Sequence, residues 1–261
     1  IANYLEKATD KIDTLITKQT KLIELLKEKR QAVISTAVTR GLDNTVSMKD
    51  SGVEWLGEIP EHWKVKKLKF ISTVNDDTLP DNTSDNLEIN YIDIGSVTTG
   101  YIQNSEQLTY GNAPSRARRI ILDGDILVST VRTYLKAIAP VLSIHNNYIA
   151  STGFAVIRSG KELDSTYTKY ALLSNYFIDL VESRSVGVSY PAINASDLIT
   201  LSLAIPSINE QVKIGHYLDN KTTKMDNLIT KANKAIDLLK EKRTALISAA
   251  VTGKIDVRES T

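Results

Sequence analysis

The chain has 261 residues, 32 Lys plus Arg against 31 Asp plus Glu for a formal net charge of +1, 42% hydrophobic residues, three His and no Cys. That length and apolar content support one sizeable globular core. No apolar run approaches the ~20 residues of a membrane span and no secretory signal is present, and without cysteine there are no disulfides and no thiol chemistry. The plain reading is a cytoplasmic protein.

The chain begins with a segment that it uses again. Residues 1–39 return as residues 214–252 at a constant offset of 213, with about 24 of 39 positions identical by direct comparison, a self-similarity that marks a repeated structural unit. Both copies carry the block LLKEKR, at Leu25–Arg30 and Leu238–Arg243. In the first copy Ile1, Leu5, Ala8, Ile12, Leu15, Gln19, Leu22, Leu26, Lys29 and Val33 follow alternating steps of four and three. This is the 3.5-residue period of a coiled-coil seam. The equivalent stripe in the second copy is Ile214, Leu218, Lys221, Met225, Leu228, Ala232, Ala235, Leu239, Lys242 and Leu246. Ala235 falls at the repeat position where the first copy has the larger Leu22, which suits two unlike helices packing together, and polar seam residues would set their register. Each helix is expected to stop soon after a shared Ala-Val-Thr, at Arg40-Gly41 and Gly253-Lys254, where glycine terminates helices. At ~1.5 Å per residue, each could span about 55 Å. Because the chain opens inside a repeat unit and its first methionine is Met48, we expect it to be a piece of a longer polypeptide with the missing part upstream.

The intervening segment is mildly acidic. Residues 47–205 hold 14 Lys plus Arg against 18 Asp plus Glu, for −4, while 1–46 contribute +2 and 206–261 contribute +3. Basic residues nevertheless cluster, as Lys64, Lys66, Lys67 and Lys69 and as Arg116, Arg118 and Arg119, with Arg132, Lys136 and Arg184 elsewhere. Much of the acid falls in one polar loop, Asn75–Glu88. Local patches rather than net charge would touch phosphates; a solvated face is the equally weighted alternative for any single cluster. Strands are expected at 89–94, 124–130, 137–143 and 153–158, each rich in Ile, Val and Tyr and bounded by Gly, Asn or Ser. A helix over 164–182 follows, with Tyr167, Tyr170, Ala171, Leu172, Phe177, Ile178 and Val181 on one face. Ser183–Ser189 reads as a flexible loop that Pro191 ends, 199–205 as a last strand, and Pro206 as the start of a linker into the second long helix. The expected fold class is α+β: a mixed α/β domain over 47–205 flanked by two long antiparallel coiled-coil helices, 1–46 and 206–261. Trp55 and Trp63 are expected to pack the junction between helix and domain.

Catalytic patterns are missing. A metal-dependent nuclease centre needs an acid pair and a lysine around one ion, and Pro80-Asp81 is followed by Glu88-Ile-Asn90 without that lysine. His62, His145 and His216 lack ligand spacing, so no metal site is expected. Tyr190-Pro-Ala-Ile193 is not the Asn/Asp-Pro-Pro-Tyr signature of amino-methyltransferases, and no Gly-rich loop opens a helix after a strand. Asp123-Gly-Asp125 reads as a tight turn between strands. We expect a chain without catalysis of its own.

The order of Trp55-Leu-Gly57, Pro60-Glu-His-Trp63, Gly124-Asp-Ile-Leu127, Tyr190-Pro-Ala-Ile193 with Leu198, Ile205-Pro206 and Glu210-Gln211 before Tyr217-Leu218 and LLKEKR resembles the specificity (S) subunits of type I restriction-modification systems. The resemblance runs the length of the chain. It covers the C-terminal half of such a subunit: central conserved helix, one target-recognition domain, distal conserved helix. A first recognition domain is missing from the pattern. The resemblance implies sequence-specific recognition of double-stranded DNA, reading one half of a bipartite target. It also implies partners: methylation (M) subunits, which carry S-adenosylmethionine, and restriction (R) subunits, which use ATP with Mg. This chain would carry no cofactor itself.

Recognition needs side chains that reach base edges from loops on a rigid scaffold, while phosphate contacts set register. Arginine can bridge guanine O6 and N7, Asn and Gln can pair with adenine, and small residues let the backbone approach a groove. The candidate DNA-binding residues are therefore Lys64, Lys66, Lys67, Arg116, Arg118, Arg119, Arg132, Tyr134, Lys136, Arg184, Ser185, Gly187, Ser189 and Tyr190. Subunit-interface candidates are Leu5, Ile12, Leu15, Leu22, Leu26, Lys29 and Arg30 in the first repeat and Leu218, Met225, Leu228, Leu239, Lys242 and Arg243 in the second. Homodimerisation through the coiled coil is a further expectation. The competing reading is a coiled-coil adaptor that binds protein partners only.

Overall fold

The computed structural model describes residues 2–144 and 147–255; His145 lies outside them. In chain order the elements are α1 (Ala2–Arg40), β1 (Met48–Asp50), β2 (Glu58–Pro60), β3 (Lys64–Lys67), β4 (Ser72–Val74), β5 (Glu88–Ile92), β6 (Val97–Thr98), β7 (Tyr101–Ile102), β8 (Glu106–Thr109), β9 (Ala117–Ile120), β10 (Ile126–Ser129), β11 (Ile138–Pro140), β12 (Tyr148–Ser151), β13 (Phe154–Ser159), α2 (Ser165–Leu172), α3 (Asn175–Arg184), α4 (Ala195–Leu198), β14 (Ser202–Ile205) and α5 (Ile208–Val251). Two compact units result, one of residues up to Ala32 together with those from Asp219 onward, the other Val33–Leu218. The divisions thus fall inside α1 and α5 rather than at residues 46 and 205.

In the helical unit the two repeats pack on each other, and the stripe they bury corrects the expected seam at Leu15 and Leu22 in α1 and at Leu228 in α5. Ile12 and Ile23 are buried in α1 and Met225, Ala232 and Ile236 in α5, with Ile16 and Ile229 packed against them. Leu15 and Leu22 are 47% and 43% exposed and Leu228 is 50% exposed. Leu5, Leu26 and Leu239 stay partly buried at their expected places. The alternative phase was available because Leu15-Ile16, Leu22-Ile23 and Leu228-Ile229 each offer two adjacent apolar residues. Charge pairing settles the choice. With the isoleucines inward, Arg243 grips Asp13 with two hydrogen bonds (2.9 and 3.2 Å), and Arg30 Nε lies 3.2 Å from Asp226 Oδ1. Asp226 and Arg243 are the repeat equivalents of Asp13 and Arg30, so the two ion pairs are the same contact made twice about a local two-fold, and they require the helices to run antiparallel. Lys29 and Lys242 point outward.

The globular unit is built on two four-stranded sheets. One is antiparallel in the order β11-β10-β13-β4; the other runs β8-β5-β12-β9, with β5 and β12 parallel. Strand β10 is buried at all four residues. Ile126 and Val128 face a core shared with α2, α3, the end of α1 and the start of α5, whereas Leu127 on the opposite face joins Ile92, Phe154 and Val156 in a second core. A strand covered on both faces reads as a continuous apolar run instead of an alternating one, which is why this segment was legible. Trp63 is fully buried in the first core and its indole Nε1 donates to Glu210 at 3.0 Å, but Trp55 is 57% exposed and packs no junction. Tyr167, also buried, donates its hydroxyl to the Ala204 carbonyl at 2.6 Å, and burial pushes that phenol well above its ordinary pKa.

Several expected elements are corrected. The helix over 164–182 is two helices, because Ser174 leaves the helical conformation and its hydroxyl caps the second by accepting from Phe177 N at 3.3 Å. Serine competes for the backbone in this way and so favours caps. The strand at 199–205 shortens to β14, its first residues forming the turn after α4. The polar loop after Asn75 is no solvated excursion: Asp76, Asp77 and Asp81 face arginines, and Asn75 Oδ1 accepts from Val156 N at 3.0 Å. Strands β1, β3, β8 and β9 had no sequence signal, being three or four residues long with interspersed charge.

Candidate nucleic-acid interface

Where β10 ends, the chain turns sharply over Thr133–Leu135, and the residues on either side, Arg132 (φ 51°) and Lys136 (φ 52°), both adopt the left-handed conformation. Each such non-glycine residue costs about 1–3 kcal/mol, and strain of this kind gathers at functional sites when the surroundings over-determine it. The surroundings here do. Thr133 is buried, its amide donates to the Pro191 carbonyl at 3.3 Å and its hydroxyl to Ser185 Oγ at 2.7 Å, while Ser185 donates on to the Val181 carbonyl at 2.7 Å. The turn is thereby tied to the end of α3 and to the segment that follows it.

That segment is an ordered hairpin rather than the flexible loop expected. Val186 and Ala192 exchange both backbone hydrogen bonds (2.8 and 3.0 Å), Gly187 supplies a φ of 116° between them, and Ile193 N reaches the Thr130 carbonyl at 2.9 Å. Tyr190 is delivered beside Arg132, whose guanidinium carbon lies 5.0 Å from the ring centroid. Such a stack holds an arginine in place without consuming its donors.

A cleft of about 830 Å³ opens at this place, lined by Tyr91, Asp93, Ser96, Glu106, Arg116, Arg132 and Tyr190 among others. Gly153 packs against one of its lining residues, since a β-carbon there would sit 2.5 Å from Ile94 Cδ1. The cleft pairs two arginines with two carboxylates, so it offers donors and acceptors together. Sequence reasoning missed Asp93, a lone acid between Ile92 and Ile94, and Glu106, a lone acid among polar neighbours; only the pairing of β5 with β8 and the turn after β5 bring them to the cleft that Arg116 lines.

The candidate residues fall into separate groups. Arg116, Arg132 and Tyr190 converge on the cleft, with Tyr134 half-exposed on the strained turn. Arg184, Gly187 and Ser189 are exposed on the same stretch of chain as Tyr190, and Lys136 reaches Glu182 at 3.4 Å. Arg118 and Arg119, by contrast, are drawn into the fold. Arg118 is held by Asp81 and Tyr110, the first of which raises its pKa, and Arg119 donates to Thr78 Oγ1 at 3.2 Å while burial lowers its pKa. Both arginines thus have partners in the acidic loop. Lys64, Lys66 and Lys67 lie on β3 against β14, and Lys64 and Lys66 line a different cleft with His62, Lys161 and Glu162; Lys66 is paired with Glu162, whose carboxyl it holds below the usual range. The lysine cluster and the arginine cleft are therefore distinct surfaces.

Among the described residues no group of three or more His, Cys, Asp or Glu could hold a metal ion, and no helix is long and apolar enough to cross a membrane.

Residues 60–238 match the family of the type I restriction modification DNA specificity domain. The chain belongs to that family. Its relatives include the type I restriction enzyme MjaVIII specificity subunit of Methanocaldococcus jannaschii, 24% identical over 270 residues, 97% of this chain and 60% of that protein. Another is the putative MjaX specificity subunit of the same organism, 28% identical over 97% of this chain and 57% of its own length. This specificity domain chain thus spans about 60% of the curated relatives it matches. Among solved structures, the HsdS subunit from Thermoanaerobacter tengcongensis superposes with a TM-score of 0.56 at 28% identity, over 69% of this chain and 48% of that one. A structure from a study of complex assembly in the type I R-M system shares the fold, with a TM-score of 0.59 at 17% identity over 94% of this chain. The mixed α/β domain with long helices is the architecture of these specificity subunits.

Proposed function

We propose that this chain reads one half of a bipartite DNA target for a type I restriction-modification complex and scaffolds the other subunits. The observation that carries the reading is Arg132, presented on a strained, buttressed turn, stacked on Tyr190 and facing a cleft with Arg116, Asp93 and Glu106. Arginine so held is suited to a bidentate contact with a base edge, and the two carboxylates are suited to accept from cytosine or adenine amino groups. Arg132→Ala should cost about 1–3 kcal/mol on the cognate site and little on random DNA. Lys64→Ala and Lys67→Ala, if they meet phosphates, should weaken all sequences alike and lower the salt slope by about one per charge. Competition binding across a salt series in complex with the methylation subunit separates the two behaviours; equal loss on cognate and random DNA for Arg132→Ala would assign it to the backbone and defeat this reading.

The helical unit supports the scaffolding role. Outside its filled seam it displays Leu15 and Leu25 on one repeat and their equivalents Leu228 and Leu238 on the other, all 47–56% exposed, beside Lys29 and Lys242. A stripe displayed twice fits two copies of one partner, the methylation subunit, with restriction subunits joining the assembly. Reversing Lys29 and Lys242 to Glu, which leaves the inward Arg30 and Arg243 untouched, should weaken capture of the methylation subunit severalfold with unchanged helicity; unaltered capture would sink the docking assignment. The reciprocal Asp13–Arg243 and Arg30–Asp226 pairs also let a repeat of one chain meet a repeat of another with the same contacts, so exchange of helices between two copies would give a homodimer, visible as doubled mass by light scattering. Catalysis, S-adenosylmethionine, ATP and Mg are assigned to the partner subunits and none to this chain, and a cytoplasmic location follows from those partners.

A further inference from the structure

We propose that the hairpin Val186–Ala192 is a thymine-reading element, in which Val188, supported by Val186, takes the C5-methyl group of one thymine in the major groove beside the base edge met by Arg132. The inference rests on the DNA-recognition reading above and deepens it.

The hairpin is ordered at its base and apolar at its tip. Both backbone bonds between Val186 and Ala192 are made, Ala192 also bridges to Val131, and Pro191 and Ser185 are tied to Thr133. Yet Val186 is 81% exposed, Val188 101% and Tyr190 66%. Isolated apolar side chains at a surface require no explanation. Three on one short hairpin, held in water by a scaffold that spends hydrogen bonds to keep them there, form a surface waiting for a partner.

Its neighbours indicate which partner. Arg132 is stacked on Tyr190 of this hairpin, Arg116 lines the same cleft, and Arg184 precedes the hairpin, exposed. These cations complement a phosphate-lined groove, and the apolar tip is smaller than the extended hydrophobic core that a stable protein interface buries. Within the major groove, thymine alone among the four bases presents an apolar group. Valine has neither donor nor acceptor, so against the other three bases it would strip water from a polar edge and return nothing. A valine-tipped hairpin next to a fixed arginine therefore selects a thymine adjacent to the base that the arginine reads.

The test uses the chain in complex with its methylation subunit. The half-site is first obtained from the methylation pattern of cells expressing both, and each of its thymines is then replaced in turn by deoxyuridine, which lacks only the methyl. One replacement should lower affinity about four-fold, the scale of one buried methyl group. With Val188→Ala the native duplex should bind at that lower level and the same position should no longer distinguish thymine from deoxyuridine. Arg132→Ala should lose affinity while keeping the discrimination. Since Val188 is fully exposed, its alanine variant should keep the native unfolding midpoint, which removes misfolding as an explanation. A half-site without thymine, indifference of the native complex to every deoxyuridine, or discrimination that survives Val188→Ala overturns the inference while leaving DNA recognition intact. Val188→Ala that weakens subunit assembly with base preference unchanged overturns it in favour of a protein contact. Absence of any sequence preference overturns both this inference and the function beneath it.

Discussion

Arg158→Ala is expected to destabilise the globular unit by about 3–5 kcal/mol. Arg158, on β13, donates from Nε and Nη2 to the two oxygens of Asp125 at 2.8 and 2.9 Å, from Nη1 to Asp77 at 2.7 Å, and lies 3.7 Å from Asp76. Asp125 is 1% exposed. Its carboxylate sits in a place that water hardly reaches, and Asp125 first, then Asp77, hold the guanidinium well above the ordinary arginine range. Removing one member of a buried, hydrogen-bonded pair costs about 3–5 kcal/mol, because the charge left behind is uncompensated. That is a large share of the 5–15 kcal/mol that keeps most domains folded. The arginine also fastens the acidic loop over the sheet, and that loop in turn pairs with β9 through Leu79 N to the Arg118 carbonyl (2.8 Å) and Ile120 N to the Asp77 carbonyl (3.1 Å). Arg116, at the head of β9, should accordingly lose its place in the cleft before the whole unit melts. Urea unfolding of Arg158→Ala should show the free energy of unfolding lowered by that amount. A variant within 1 kcal/mol of native would mean that the network is no keystone. Asp125→Asn, which keeps the shape and one acceptor, should fall between the two.

Ile23→Asp together with Ile236→Asp should open the helical unit, whereas Leu22→Asp should leave it closed. Ile23 and Ile236 are each 9% exposed and form the centre of the seam with Ala232. Each substitution forfeits roughly 1.5–3 kcal/mol of apolar burial and adds the cost of a carboxylate in a dry contact. Leu22, one residue away, is 43% exposed and should shift stability by no more than about 0.5 kcal/mol. Far-UV circular dichroism with temperature distinguishes the pair, and equal effects at 22 and 23 would return the seam to the phase that the heptad spacing favours. A charge swap extends the test: Asp13→Arg alone should destabilise by placing two arginines together, and adding Arg243→Asp should recover most of the loss, since exchanging the partners restores the ion pair in reversed sense.

The sequence by itself determined the helix repeat, the two helix ends, the insertion of a mixed α/β domain between them, and strands such as β10 and β13 whose residues are apolar on both faces. Each of these is written in local periodicity or in a run of residues whose burial is dictated by their own chemistry. It also placed Arg116, Arg132 and Tyr190 among the candidates, though mixed with Arg118, Arg119 and Lys66, which resemble them in composition. Only tertiary structure separates those that line the cleft from those with acidic partners. Whether an arginine is free to meet a ligand depends on whether a carboxylate from elsewhere reaches it, and Asp81 and Glu162 lie 37 and 96 residues from the cations they occupy. The seam failed for a related reason. Leu22 and Ile23 are equally apolar, so hydrophobic spacing leaves the phase degenerate, and the choice is made by an ion pair between residues 230 apart, Asp13 and Arg243. Charge satisfaction at long range, which no local pattern encodes, is what turned a correctly read set of elements into a particular surface.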